Sequence, residues 1–286
     1  MNNKYIKKNP EIKIRPQIKI TPQIKIRPEM KMIPEINTHK FISTSENIQK
    51  YITPYPNKSY YNNVIPLNIF QTWYTKTLPP LMFHACNTIK MMNPAFQYHL
   101  FDDNDCREFI QNNFPEYVLE AYDNLLPGAY KADLWRYCIL YKKGGIYLDI
   151  KYKPYNGFKF INLTEQEHWV LDADGCGIYN ALMVCKPENT ILFHAIHQIV
   201  ENVKNKYYGE SSLHPTGPHL LGRYFNKEEK QSFDIKHGYV NTINNRFIYY
   251  NNYAVLKSYS GYLDEYKNNT NKEHYATLWK QRQIYK

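Results

Sequence analysis

The stretch AYKADLWRYCILYKKGGIYLDIKY, Ala129 to Tyr152, decides how the rest of the chain is read. Ala132, Trp135, Cys138 and Ile139 recur at helical spacing, while Asp133, Arg136 and Tyr137 share a second face at i, i+3 and i+4. Lys142 and Lys143 suit the negative end of a helix dipole, and Gly144 or Gly145 can take the left-handed conformation that ends a helix. Beyond them Ile146, Leu148 and Ile150 alternate with Tyr147, Asp149 and Lys151, which predicts a strand with one apolar and one polar face. A helix feeding a strand through a glycine stop argues an α/β fold. In open α/β sheets ligands gather at the C-terminal ends of the strands, where the phenol, carboxylate and amine of this strand lie.

These residues resemble the sugar-binding segment of retaining glycosyltransferases with the GT-A, Rossmann-like fold. That family contains yeast Golgi α-mannosyltransferases and bacterial capsular polysaccharide enzymes, with large clostridial glucosylating toxins as more distant relatives. Its pattern A-D-x-x-R-Y, then G-G-x-Y-x-D-x-D, is met by Ala132-Asp133, Arg136-Tyr137, Gly144-Gly145, Tyr147 and Asp149; the last Asp is replaced by Lys151. The resemblance implies that Asp133, Arg136, Tyr147 and Asp149 hold the sugar hydroxyls and the diphosphate neighbourhood of a nucleotide-sugar. A carboxylate accepts hydroxyl hydrogen bonds, and a guanidinium fork grips phosphate or sugar oxygens. Without the following Tyr-x-Asp, the Asp133–Arg136 pair reads as an ordinary salt bridge on a solvated helix.

In the family the second Asp helps bind Mn²⁺ or Mg²⁺, which steadies the leaving diphosphate as a Lewis acid. Lys151 keeps the formal charge balance while removing that ligand, so Asp149 is the one metal ligand of the motif that remains. Three cases follow: transfer without a metal, a metal held by Asp149 with another ligand, or a nucleotide-sugar-binding pseudoenzyme. Asp172-x-Asp174 is a second D-x-D string that reads first as turn chemistry, with His274 beside it as a further metal candidate.

The resemblance extends outward. Val64 to Trp73 is similar to the family's opening strand and puts Trp73 against the nucleotide base, where an aromatic face stacks without demanding much discrimination; a core role also fits it. Asp102 ends a predicted second strand close to the nucleotide, with Asp103 or Asn104 capping the next helix. Asn180 falls in a segment near the donor sugar, and Thr216-Gly217 in the family's T-G-P loop. His274 precedes a late Trp, Trp279. His194 and His197, at i, i+3 on a predicted helix, read as a packed or exposed pair.

Composition bounds the remainder. The chain has 286 residues, of which 22% are charged and 43% hydrophobic, enough for one enzyme domain. The first 36 residues hold nine Lys or Arg against three Glu, a net +6 of the chain's +10. Most of the excess charge is thus in a tail, which weakens any reading as a specific nucleic-acid binder. Within it Pro10, Pro16, Pro22, Pro28 and Pro34 punctuate alternating apolar and basic residues. Proline removes a backbone donor at each repeat, so residues 1–36 are expected to be disordered, or to add as an edge strand or basic stripe to an anionic surface. Residues 37–62 read as a linker and 63–286 as the glycosyltransferase domain. No apolar run is long enough for a transmembrane segment and no signal-peptide core precedes it, so a cytoplasmic location is expected. The Tyr-, Asn-, Ile- and Lys-rich composition fits an AT-rich genome, and for a large DNA virus the host cytoplasm or the virion. The expected partners are a UDP- or GDP-sugar and a glycan or glycoprotein acceptor. A scaffold depending on the repeat is the competing class.

Overall fold

A computed structural model describes residues 52–240, 242–270 and 272–286. The proline-punctuated repeat and most of the linker expectation lie outside the described residues.

The first strand, β1 (Asn68–Thr72), is central in a four-stranded sheet of order β2-β1-β3-β6. It pairs in parallel with β2 (Gln97–Phe101) and with β3 (Gly145–Leu148), and β6 (Leu182–Cys185) closes the sheet antiparallel to β3. Every residue of β3 and β6 is buried, because the sheet is covered on both sides. Phe70, Tyr147, Met183 and Cys185 face one core with the helices, while Ile69, Ile146, Leu148, Leu182 and Val184 face another. The α/β class expected from the sequence is what forms.

Helix α1 (Pro80–Met92) has proline in its first turn and no side-chain cap of its own. The Glu265 carboxylate, distant in sequence, accepts from the N–H groups of Leu81 and Met82 at 2.7 and 2.9 Å. Helix α2 (Asp103–Asn113) starts with a capping box between Asp102 and Asp105. The cap is therefore Asp102, one residue before the expected Asp103 or Asn104. Pro115 then separates α2 from α3 (Glu116–Asn124).

Helix α4 (Gly128–Lys143) is the expected central helix, but it does not keep a solvated face. Asp133, Arg136 and Tyr137 are buried along with Trp135, Cys138 and Ile139, since other helices and the sheet enclose it. Gly144 ends it at φ +60° and Gly145 follows at φ +116°. A Cβ on Gly144 would lie 2.6 Å from Pro187, and one on Gly145 2.8 Å from the Asn68 carbonyl, so both positions require glycine. The alternation expected through Lys151 stops at Leu148. The Asp149 N–H donates to the Ala181 carbonyl at 2.7 Å, and Tyr152 N–H to the Asp149 carbonyl at 3.0 Å. Residues 149–151 thus turn off the strand and bend their side chains around one point.

The chain next enters a second sheet of order β4-β9-β8-β7-β5: β4 (Tyr152–Pro154), β5 (Val170–Leu171), β7 (Ile235–Val240), β8 (Thr242–Tyr250) and β9 (Tyr253–Ser258). Helix α5 (Thr190–Lys204), short helices α6 (Pro218–Gly222) and α7 (Lys227–Ser232), then α8 (Tyr262–Asn269) and α9 (Tyr275–Lys280) complete the order. Residues 52–62 lie against this body: Tyr55 stands edge-on to Phe158 at 4.8 Å, and the Asn57 and Asn162 side chains hydrogen-bond at 2.6 Å. Among the described residues no helix is long and apolar enough to cross a membrane.

Candidate active site

Four charged side chains meet where β1 and β3 end. Asp133 and Arg136 come from consecutive turns of α4, and Asp149 and Lys151 from the turn after β3. Lys151 Nζ donates to Asp149 Oδ2 at 2.5 Å. Arg136 spans both carboxylates, Nη1 lying 3.3 Å from Asp149 Oδ1 and Nη2 3.4 Å from Asp133 Oδ1. Its guanidinium also stacks over the Tyr147 ring at 4.3 Å, and Tyr147 donates its hydroxyl to Asp149 Oδ1 at 2.8 Å. Lys151 is only 8% exposed, like Asp133. Two carboxylates and two cations therefore balance in a largely dry site.

Electrostatics follow from that packing. Burial alone would raise the Asp149 carboxyl, but the charges of Lys151 and Arg136 outweigh it and hold the group below the usual carboxylate range. Burial likewise works against the Lys151 ammonium; Asp149 and the Tyr179 and Tyr262 hydroxyls reverse the sign and keep it charged beyond the ordinary lysine range. Asp133 behaves differently. Burial raises its carboxyl and outweighs Arg136 and the Thr216 and Asn180 hydrogen bonds, with the nearby Asp149 charge adding to the rise.

Asp133 is the hub that joins distant segments. Its Oδ1 accepts from Asn180 Nδ2 at 2.8 Å and its Oδ2 from the Thr216 hydroxyl at 2.7 Å. Asn180 Nδ2 also reaches the Tyr137 hydroxyl, which donates to the Thr216 carbonyl. Gly217 follows in the same loop, and a Cβ there would lie 3.4 Å from Asp133 Oδ2, at ordinary contact distance. Arg136 is anchored by the carbonyls of Asn180 and Ala132.

Above the charged floor lies a cavity of about 170 Å³, lined by Trp73, Arg136, Tyr147, Asp149, Ile150, Lys151 and a set of residues from the C-terminal segment. Trp73 is buried, with Tyr266 edge-on at 5.9 Å, and its indole N–H has no partner among the described residues. A buried, unpaired donor in a cavity wall is a group kept for a ligand or left at a cost. A larger open groove of about 480 Å³ runs along the outer edge of β2; its Lys76 and Asp105 pair with each other and it gathers no comparable charge cluster.

Of the residues singled out in the sequence, Asp133, Arg136, Tyr147, Asp149, Lys151, Asn180, Thr216 and Gly217 come together, and Trp73 borders the same cavity. Two do not. Asp102 caps α2 with its carboxylate, and its neighbour Asp103 lines the cavity instead, paired with Lys272 at 2.8 Å. His274 caps α9, accepting from the Ala276 N–H at 3.2 Å, while Lys272, Glu273 and Tyr275 on either side line the cavity. Tyr262 and Tyr266 were not singled out, nor was Gln71, which donates to the Leu148 and Asp149 carbonyls and fixes the turn. Asp172 and Asp174 pair with His237 and His219 at 2.9 and 2.7 Å, as turn residues with histidine partners.

The donor set at Asp149 does not fit a divalent ion. Both oxygens already face cations, Lys151 on one and Arg136 with the Tyr147 hydroxyl on the other. Among the described residues no three His, Cys, Asp or Glu side chains converge on a common point.

Residues 79–168 match the family model described as "Glycosyltransferase sugar-binding region containing DXD motif". The chain is 29% identical over 184 residues to "Inositol phosphoceramide mannosyltransferase 3" of Schizosaccharomyces pombe, covering 63% of this chain and 51% of that protein. It is 42% identical over 90 residues to "Uncharacterized glycosyltransferase L373" of Acanthamoeba polyphaga mimivirus, covering 30% and 36%. Among solved structures, "PaToxG Glycosyltransferase" aligns with a TM-score of 0.44 at 18% identity, over 57% of this chain and 69% of that one. The chain spans about half the length of the first of these relatives. The resemblance read from Ala129 to Asp149 is borne out: the matched segment is that of DXD-motif glycosyltransferases.

Proposed function

We propose that this protein is a glycosyltransferase that moves a sugar from a nucleotide-sugar donor to a glycan or glycoprotein acceptor with retention of anomeric configuration, and that Lys151 supplies the charge which its relatives draw from a metal ion. The carrying observation is the buried Asp133–Arg136–Asp149–Lys151 cluster beneath a cavity walled by Trp73, at the C-terminal ends of parallel strands.

Each group has a chemical task in this reading. Trp73 offers its face to the base and its unpaired N–H to a donor oxygen. Asp133 and Asp149 accept from sugar or ribose hydroxyls, Asp133 only by sharing lone pairs with Asn180 and Thr216. Arg136 and Lys151 set positive charge beside the diphosphate as it leaves. A unit charge about 4 Å from a phosphate gains about 4 kcal/mol at an effective dielectric of 20, before desolvation; a divalent ion gains about twice that. Lysine therefore replaces part of an ion's work, and slower turnover than in metal-loaded relatives is the expected cost. The Schizosaccharomyces pombe relative is a mannosyltransferase by its name, which makes a mannosyl donor the first to try, with other UDP- and GDP-sugars beside it.

The test is donor turnover in EDTA and in Mn²⁺, for the parent, Lys151→Ala and Lys151→Asp. Parent turnover should persist in EDTA. Lys151→Ala should lower it, and Lys151→Asp should lower it in EDTA but recover in Mn²⁺, since the paired carboxylates of the family motif return. Loss of parent activity in EDTA, with Lys151→Ala equal to the parent, would overturn the role given to Lys151. Donor binding without turnover for every donor would make the chain a binding pseudoenzyme.

A further inference from the structure

A metal ion is placed by its ligands, whereas an ammonium on a flexible four-carbon stem is placed by what packs around it. Asp149 meets Lys151 Nζ on one side, at 2.5 Å. On another side stand two phenol rings. Nζ lies over both Tyr152 and Tyr179, 5.5 Å from each ring centroid. Both tyrosines are buried, their rings stand at 89° and their hydroxyls hydrogen-bond at 2.9 Å. Tyr179 is fixed in turn from the second sheet. The His237 ring lies flat on it, with centroids 3.7 Å and planes 2° apart. Aromatic pairs left to themselves offset or turn edge-on, so this sandwich is imposed from outside. β5 pairs in parallel with β7 through Leu171 and Lys236, which sets Asp172 beside His237. Asp172 Oδ1 accepts the His237 Nδ1–H at 2.9 Å. His237 Nε2 is buried with no hydrogen-bond partner among the described residues, so that one bond and the stack orient the ring. Burial, joined by the charges of Lys151 and Arg246, holds the imidazole below the ordinary histidine range against the pull of Asp172, and it stacks as the neutral form.

We propose that Tyr152 and Tyr179 are positioning residues for the Lys151 ammonium, and that His237 and Asp172 clamp Tyr179 in that role. The proposal rests on the part given to Lys151 in sugar transfer. Ring faces suit the task better than further hydrogen-bond acceptors would. A ring attracts a cation through its quadrupole and occupies none of the N–H groups. Asp149 takes one of the three, and Nζ has no other hydrogen-bond partner among the described residues. Two N–H groups thus remain for the oxygens of a diphosphate in the cavity that Lys151 lines. Asp172, which the sequence presents as turn chemistry, then acts on the charged cluster through a chain of contacts. It sets His237, His237 sets Tyr179, and the two tyrosines set the ammonium. Arg246 of β8 also bonds the Tyr179 hydroxyl, so the ring and the hydroxyl are tested apart.

The experiment reads Lys151 twice, once without turnover. In proton–carbon NMR spectra of the full chain labelled at lysine, the Lys151 Cε–H signals are assigned by their loss in Lys151→Ala. They should lie upfield of those of exposed lysines, because ring currents act above both faces. Tyr179→Leu should bring them toward the exposed position, and Tyr179→Phe, which keeps the face, should retain most of the shift. His237→Leu and Asp172→Ala free the ring from its clamp and should move the signals the same way. With donor in EDTA, Tyr179→Leu should lower kcat about threefold to thirtyfold, the worth of one cation–ring contact, and change KM less. Tyr179→Phe should recover most of that loss. His168→Gln is the control. It removes another buried histidine of this sheet's surroundings, 3.3 Å from Asp234 and edge-on to Tyr250, and should cost stability without moving either reading. Thermal melts check that each variant folds; if Tyr179→Leu does not, His237→Leu and Asp172→Ala decide through the Lys151 signals. The proposal fails if the parent's Lys151 signals sit with those of exposed lysines. It fails equally if the ring and clamp variants leave them in place, if His168→Gln moves them as far, or if they move while kcat does not. A parent with no turnover for any donor, but with signals upfield and displaced as described, would sink the sugar-transfer reading and leave the placement of the ammonium standing.

Discussion

Replacing Lys151 by alanine separates a buried electrostatic partner from a solvent-facing side chain. The ammonium is 8% exposed and touches Asp149 Oδ2 at 2.5 Å. Without it Asp149 keeps Arg136 at 3.3 Å, which Asp133 also draws on. Breaking one partner of a buried ion pair costs about 3–5 kcal/mol, and the shared Arg136 places this case at the lower end. At about 2–4 °C per kcal/mol for a domain of this size, the melting midpoint should fall by about 6–12 °C. Lys76→Ala is the control, since its pair with Asp105 is exposed and worth about 0–1 kcal/mol. The pH profile gives an independent reading. Asp149 is depressed in the folded protein, so its contribution is present above the unfolded carboxyl value of about 3.9 and is lost as pH falls through the folded one. Lys151 is raised, so its contribution is complete below about 10.4 and is lost as pH rises through the folded value. The gap between parent and variant in thermal melts should therefore be widest between about pH 4 and 10 and should narrow outside that window. A midpoint shift within that of Lys76→Ala, flat with pH, would refute the buried-pair account.

Other perturbations follow from the same geometry. Asp133→Asn keeps an acceptor for one of its two donors, Asn180 Nδ2 and the Thr216 hydroxyl, and sets an amide N–H₂ against the other, and should cost about 1–3 kcal/mol in a denaturant titration, even without donor. Trp73→Phe removes an unpaired buried N–H, so stability should change by less than about 1.5 kcal/mol, whereas the donor-induced change in tryptophan fluorescence should vanish. Gly144→Ala meets both φ +60° and Pro187 at 2.6 Å, and should cost at least about 2 kcal/mol in a urea melt. Tyr55→Ala should cost about 1–2 kcal/mol if residues 52–62 belong to the domain, and near zero if they are linker.

The helix, the glycine stop and the strand of residues 128–148 were legible because periodicity and Gly-Gly are local signals. The cluster at its end was legible in composition but not in shape. Alternation put Tyr147, Asp149 and Lys151 on one strand face; the strand instead ends at Leu148, and the Asp149 carbonyl accepts the Tyr152 N–H to close a turn. The burial of Asp133 and Arg136 was also hidden, since their partners Asn180 and Thr216 lie 47 and 83 residues from Asp133 or share its neighbourhood only after folding. Asp102 and His274 show the reverse error. Each occupies a position a binding residue could take, and each spends its side chain on capping a helix. Tyr262 and Tyr266 gave no signal, because nothing in an eight-residue polar helix marks which aromatic will border a cavity.

The hydrogen bonds of Asp133 also bear on the order in which the chain reaches its native state. Asp133, Arg136, Asp149 and Lys151 lie in one short stretch and can be near each other as soon as α4 and β3 form. Asn180 and Thr216 arrive only when loops of 47 and 83 residues close. Closing such loops costs conformational entropy that no local contact returns. On that entropy ground the four charged side chains are expected to gather before Thr216, their most distant brace, is in place. A ligand that binds only the braced form favours completion of that last step, by about 2.7 kcal/mol at a hundredfold excess over its Kd. Donor added during refolding should then raise the yield of protein in which the 214–219 loop resists protease, and it should do so without altering the early burst of helix formation.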